Sequence, residues 1–335
     1  MQLSRWIRLA LGVGVTAAFL WLAMRRVDFS EVVRVGKRIP WVTYMFALTL
    51  LAIEYGIRSV RWWKMLQSCG ERVPLSSCVW PLLVSVGVNN IVPFRAGDAL
   101  RIVGFRKQLR ASAMGVLGTV IVERLLDVTI LLLFLLAGLA WLEDGAVSPL
   151  YIQVATLVSV LTLLFWTTIL AGTKPILGVF RWRILRSHRV VIAVEQPARQ
   201  LMAALNVVRT PGQVLGLLGL SLLVWFCDGA IFATVASALG YTGRMFGPWF
   251  SLATATLSTL IPSSPGYVGT FDFFSMAGLS AYGATRTVSV AFALVLHTIL
   301  WVPLTLVGLS YFLLPVLKGS HWRAERVATR GREQT

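Results

Sequence analysis

Apolar residues in this chain gather in long runs instead of recurring at helical or strand intervals. Predominantly apolar stretches cover residues 6–24, 41–60, 113–142, 150–170, 214–239 and 289–317. Each reaches, or comes close to, the roughly 20 residues a helix needs to cross the hydrocarbon core of a bilayer. Two further stretches are shorter and stop at chain breakers. Residues 77–92 end at Asn89-Asn90-Ile91-Val92-Pro93, and residues 249–261 end at Pro262-Ser263-Ser264-Pro265-Gly266, after which 271–279 resumes. Backbone polar groups inside lipid must be satisfied within the element, so the spans are helices. The pattern predicts an all-α polytopic membrane protein with about six full spans and two broken re-entrant hairpins. Residues 1–317 form one transmembrane domain, and 318–335 are a basic, polar, disordered tail.

Composition agrees: 57% of the 335 residues are hydrophobic and 13% charged, against roughly 25% charged in soluble domains. The net charge of +17 lies between the apolar runs, where it acts as a topology determinant and faces anionic headgroups. No zinc-finger, helix-turn-helix or RNP pattern accompanies it, so nucleic acid is not an expected partner. Cys69, Cys78 and Cys227 form no CxxC pair, which argues against disulfides and a cysteine metal site. The first stretch has the basic start of a signal peptide but no small-x-small site before Arg25, and reads as a retained helix.

Charge also orients the chain. The loop Glu143-Asp144-Gly145 lacks Lys and Arg and belongs outside, whereas 174–209 with seven basic residues and the tail with five belong inside. Residues 95–110 hold five, and Arg58, Arg61, Lys64 and Arg72 follow the second span, so both flanks of the first broken segment are cytoplasmic. Arg61-Trp62-Trp63-Lys64 reads as an interfacial anchor closing the second span. Residues 174–209 read either as an interfacial amphipathic helix or as a basic cytoplasmic loop. Residues 25–38 carry five basic residues yet fall outside in this scheme. These assignments put both termini in the cytoplasm.

The two breaks correspond to each other. Residues 41–142 and 214–317 each read as spanning helix, broken hairpin, spanning helix. The first unit starts inward and the second outward, which makes them inverted repeats joined by the basic linker 174–209, a frequent design of secondary transporters.

Ionisable residues within spans are costly, about 2.5–3.5 kcal/mol at mid-helix. Glu54 and Arg58 are four apart and read as a structural pair. Glu123, Arg124 and Asp127 share one helix; Asp228, Asp272 and His297 lie in later segments. For each, a helix-locking ion pair is the alternative to function. Around the first break cluster Asn89, Asn90, Arg95, Asp98 and Arg101. A helix starting near Gly97 would aim N–H groups at a cavity there, suiting an anion, with Arg95 or Arg101 on a phosphate. At the second break, Ser264 as N-cap with Pro265 in the first helical position and Gly266 beside them would create another such end. The alternative is that both arginines reach the cytoplasmic headgroups.

On Asn90-x-x-Pro93-x-Arg95-x-Gly97-Asp98-x-x-Arg101, Glu123-Arg124-x-x-Asp127 and Pro265-Gly266-x-x-Gly269-x-x-Asp272, the chain resembles the flippase-like membrane domain of the lysylphosphatidylglycerol synthase family, from about residue 6 to 317. That family usually has Gly-Gly where Gly266-Tyr267 stands, Glu at Asp272, and Arg near His297. The resemblance implies a bacterial inner-membrane protein that moves an anionic or polar-headed lipid between leaflets. Its relatives handle aminoacylated phosphatidylglycerol, isoprenoid-carried sugars or hopanoid-type lipids. With only a tail after residue 317, the soluble aminoacyl-transferase domain is not expected, and a separate lipid-synthesising enzyme is an expected partner. The other functional class is a membrane enzyme or an accessory of glycolipid synthesis. No HExxH, Ser-His-Asp order, metal cluster or nucleotide loop supports catalysis, so neither enzyme activity nor a cofactor or metal is expected.

Overall fold

In the computed structural model, the described residues are 29–92, 95–142, 149–170, 210–261 and 264–317, with Gly14, Ala18, Phe19 and Trp21. The expected first span, the linker 174–209, the loop 143–145, the tail, and Pro93, Pro262 and Ser263 thus lie wholly or almost wholly outside them. Every regular element among the described residues is helical.

The helices are α1 (Phe29–Gly36), α2 (Trp41–Ser68), α3 (Ser76–Ile91), α4 (Ala96–Ala99), a π-helical turn (Leu100–Gly104), α5 (Arg106–Leu109), α6 (Ala113–Trp141), α7 (Pro149–Leu170), α8 (Pro211–Ala238), α9 (Gly247–Ser258), a 3₁₀ turn (Pro265–Tyr267), α10 (Thr270–Ser280) and α11 (Arg286–Leu317). Starts carry the expected chemistry. Ser112 Oγ accepts from the Gly115 N–H, and Thr210 forms a reciprocal box with Gln213 ahead of Pro211, so side chains satisfy orphan N–H groups. Pro40 separates α1 from α2 at a 75° bend.

By length and composition, Gly212–Ala238 and Arg286–Tyr311 are each able to cross a membrane, with a third candidate if the bent pair α1–α2 is one span. The distribution of polarity is that of a membrane protein. Arg61 and Arg101 are sealed inside, while Leu215 is 68% and Leu163 64% exposed.

Helix α2 lies along α8, α11 packs on α3, and α6 packs on α9. Where α11 crosses α3, Gly87 meets Gly308 backbone to backbone, with a Cβ on Gly87 only 2.7 Å from Gly308 Cα. Contacts also tie the loops together. Glu71 Oε1 accepts from the Ser112 N–H at 2.8 Å, joining the end of α2 to the start of α6. At the other end of α6, Arg244 donates to the Trp141 carbonyl at 3.0 Å, and Tyr241 OH donates to the Tyr282 carbonyl at 3.0 Å.

One expectation is corrected. Helix α2 does not close at Arg61-Trp62-Trp63-Lys64 but runs on to Ser68. Arg61 and Trp62 are buried, not interfacial. Asp127 neutralises Arg61, and Thr119 accepts from the Trp62 indole at 3.0 Å, so α6 satisfies the polar groups that would otherwise seek water.

Candidate functional site

The site is built where the two breaks meet. At the first, α3 ends at Ile91 and the chain turns back through Arg95, whose φ of 53° is left-handed. Helix α4 then lies so close to α3 that a Cβ on Gly97 would fall 1.8 Å from the Ser85 carbonyl oxygen; only glycine fits. Asn89 closes the turn. Its Oδ1 accepts from the N–H of Gly97 at 2.8 Å and of Asp98 at 3.3 Å, while its Nδ2 donates to Asp98 Oδ1 at 3.1 Å. The expected anion-binding helix end is therefore occupied by a side chain of α3.

The second break differs from expectation in the same way. Ser264 precedes a three-residue 3₁₀ turn without capping it; its hydroxyl donates to the Val268 carbonyl at 3.2 Å. The helix proper starts after Gly269 at φ 87°, and Asp272 reaches back to the Gly269 N–H at 2.9 Å. A carboxylate already sits on that helix end, which disfavours a second anion. The other oxygen of Asp272 meets His297 Nδ1 at 2.9 Å, and the imidazole stacks on Trp301 with centroids 4.4 Å apart.

The breaks touch. A Cβ on Gly266 would stand 3.2 Å from the Asn90 carbonyl oxygen. Asn90 Nδ2 donates to Thr305 Oγ1 at 3.0 Å, and Arg95 Nη2 reaches the Thr259 carbonyl at 3.5 Å. Behind this junction is a cavity of about 180 Å³ whose polar wall includes Glu54, Arg58, Asn90, Arg95, Arg124 and Asp228. Three buried polar atoms on residues of this wall have no hydrogen-bond partner among the described residues: Glu54 Oε2, Arg124 Nε and Trp301 Nε1. Such groups cost about 1–3 kcal/mol each when left unpaired, and they mark where a polar occupant is satisfied.

An ion network backs the wall. Arg61 bonds Asp127 and Ser221 at 2.7 Å each, and Trp225 donates to the same Asp127 oxygen at 3.2 Å. Arg58 pairs with Glu54 and lies 3.5 Å from Asp228 and 3.7 Å from Asp127. Arg101 bonds Glu123 at 3.2 Å with its guanidinium over the Trp62 ring, and Arg124 reaches Asp98 at 3.3 Å.

Of the residues singled out in the sequence, Asn90, Arg95, Glu123 and Arg124 line the cavity. Asp98, Arg101 and Asp127 form the supporting network, and Arg101 is fully enclosed. Ser264, Gly266, Asp272 and His297 build the second break, with Phe271 and Trp301 standing at the cavity wall in their place. Glu54 and Arg58 form the expected pair, and the structure places them with Asp228 on the cavity wall and Arg61 behind it. The signal was present: positions 54, 58 and 61 lie at i, i+4 and i+7, one face of a helix.

On the far side of α9 lies an apolar groove of about 450 Å³, bounded by Leu135 of α6, Val158 of α7, Phe250 and Leu257 of α9, and Phe274 of α10. Thr256 and Thr259 face the polar cavity, while Leu257 and Leu260 face the groove. The end of α9 thus separates the two spaces.

These features define a helical membrane protein with a charged cavity between two broken segments. The lysylphosphatidylglycerol synthase TM region matches residues 9–308, and the chain belongs to that family. It is also 24% identical over 346 aligned positions to the glycosyltransferase AglD of Haloferax volcanii, covering 92% of this chain and 54% of that protein. The chain thus spans about half the length of this curated relative.

Proposed function

We propose that this protein moves a polar-headed lipid, phospholipid or isoprenoid-linked, between the leaflets of the bacterial inner membrane. The observation that carries this reading is the adjacency of the charged cavity and the apolar groove across the end of α9. A lipid needs both environments at once. Arg95 and the unpartnered Nε of Arg124 would take the phosphate, and Asn90 would orient it, with Arg101, Glu123 and Asp127 keeping the arginines in place. The chains would lie in the groove or the surrounding bilayer.

The reading includes inverted repeats over 41–142 and 214–317, counting about six spans. Glu71 and Ser112, which flank the first hairpin, meet at one end of α6; Trp141, Arg244, Tyr241 and Tyr282, around the second, meet at the other. Helix α6 has 29 residues, about 43 Å at 1.5 Å per residue, enough to separate two membrane faces. The hairpins would then enter from opposite sides and meet at the midplane, as alternating access requires. Both termini would be cytoplasmic, and the lipid would come from a separate synthesising enzyme.

The test uses proteoliposomes carrying fluorescent phosphatidylglycerol or a fluorescent isoprenyl phosphate, with a membrane-impermeant quencher. Faster leaflet exchange than in protein-free vesicles is expected for at least one. Equal exchange for both would end the transport reading. A second reading, service in glycolipid synthesis, is favoured by the similarity to a protein named as a glycosyltransferase. It predicts tight binding of the isoprenyl phosphate without translocation.

A further inference from the structure

Glu54 on α2 and Asp228 on α8 both line the cavity, and one guanidinium, that of Arg58, pairs with both. Both are almost fully buried, Glu54 at 1% and Asp228 at 7% exposure. One Glu54 oxygen takes the Arg58 Nε–H; the other, Oε2, has no donor among the described residues. Two buried carboxylates held against one guanidinium repel each other, and the repulsion is relieved when one of them carries a proton.

The neighbouring charges do not remove this need. Three carboxylates, Glu54, Asp127 and Asp228, surround two guanidiniums, Arg58 and Arg61. Arg124 of α6 stands 4.0 Å from Asp127 but lies closer to Asp98, and Glu123 is held by Arg101. The remaining titratable groups near the pair are Tyr55 on α2 and Cys227 on α8. Helix α3 offers Asn89 and Asn90, and α9 has no titratable residue. On α11, His297 is turned to Asp272. Arg95 lies across the cavity on the Thr259 carbonyl.

We propose that Glu54 and Asp228 share a single proton and that this proton is the coupling ion, moving in the same direction as the lipid headgroup. The second half rests on the lipid-moving reading; the first does not. When a headgroup phosphate draws Arg58 toward it, the pair loses its countercharge and gains a negative neighbour. Both changes tighten the proton. When the phosphate departs, Arg58 returns between the carboxylates and the proton loosens. The proton comes from water on the loading side and returns to water on the other; only O–H bonds form and break.

Infrared spectra of the full-length protein in detergent, titrated with pH, test the site. A protonated-carboxyl C=O band is expected at neutral pH, fading at alkaline pH. It should vanish in both Glu54→Gln and Asp228→Asn, because the surviving acid then pairs ionised with Arg58. Asp228→Asn copies the protonated acid in shape and should fold as the wild type does. Absence of that band in the wild-type protein at neutral pH overturns the proposal, whatever the variants do. In proteoliposomes with fluorescent phosphatidylglycerol, one pH unit across the membrane should shift the steady-state leaflet ratio about tenfold for one proton per lipid, and Asp228→Asn should abolish the shift. A band with pH-independent translocation overturns the coupling and leaves a structural proton. No translocation by the wild type counts against the transport reading, while the band alone decides the proton.

Discussion

Gly266 lies against the backbone carbonyl of Asn90: a Cβ there would stand 3.2 Å from that oxygen. These residues belong to different breaks, far apart in sequence, and Asn90 lines the polar cavity. The left-handed φ of 68° at Gly266 adds a second restriction. Gly266→Ala should therefore cost about 1–2 kcal/mol from backbone strain and slow any exchange between cavity openings. Thermal unfolding in detergent and leaflet-exchange rates read the two effects separately.

Gly97→Ala is expected to be more damaging. Its Cβ would fall 1.8 Å from the Ser85 carbonyl, against backbone that cannot swing aside. Overpacking costs about 1–3 kcal/mol where side chains can shift, and this position should reach the upper end or exceed it. A melting temperature within error of wild type would refute the contact.

Arg61 and Asp127 form a buried pair at 2.7 Å. Removing one partner of such a pair costs about 3–5 kcal/mol, so Arg61→Ala should severely lower thermal stability. Arg34→Ala, which breaks the exposed Arg34–Glu31 pair on α1, should change it by about 0.5 kcal/mol or less.

Arg95 and Arg101 should separate by phenotype. Arg95→Ala is expected to fold normally and lose lipid translocation, because its guanidinium lines the cavity. Arg101→Ala should lose stability, because it strands Glu123 inside the protein. Adding Glu123→Leu to Arg101→Met should recover much of that loss, since apolar replacement of a whole buried pair is often neutral. Wild-type translocation in Arg95→Ala would remove it from the site.

Single cysteines at Ala99 and Val268, both exposed, test the opposed hairpins after Cys69, Cys78 and Cys227 are replaced. A membrane-impermeant thiol reagent should reach position 99 from the cytoplasmic side and position 268 from the external side. Labelling of both from one side would end the inverted arrangement.

The amino-acid sequence by itself determined that this is a helical membrane protein and where most of its helices lie. Those are local matters: run length against bilayer thickness, and proline and glycine at the ends of α3 and α9. It also marked Asn90, Arg95, Glu123 and Arg124, because polar groups at membrane depth demand partners. Only the tertiary structure decided who those partners are. Arg61 reads as an interfacial anchor from its Trp-rich neighbourhood, and becomes a core residue because Asp127 of α6 and Ser221 of α8 lie beside it. Helix ends that look open to an anion are capped by Asn89 and Asp272. The convergence of Glu54 and Asp228 on Arg58 joins residues on helices far apart in the chain. Periodicity reports which face of a helix is buried; which face of another helix it meets depends on packing, which no single segment encodes.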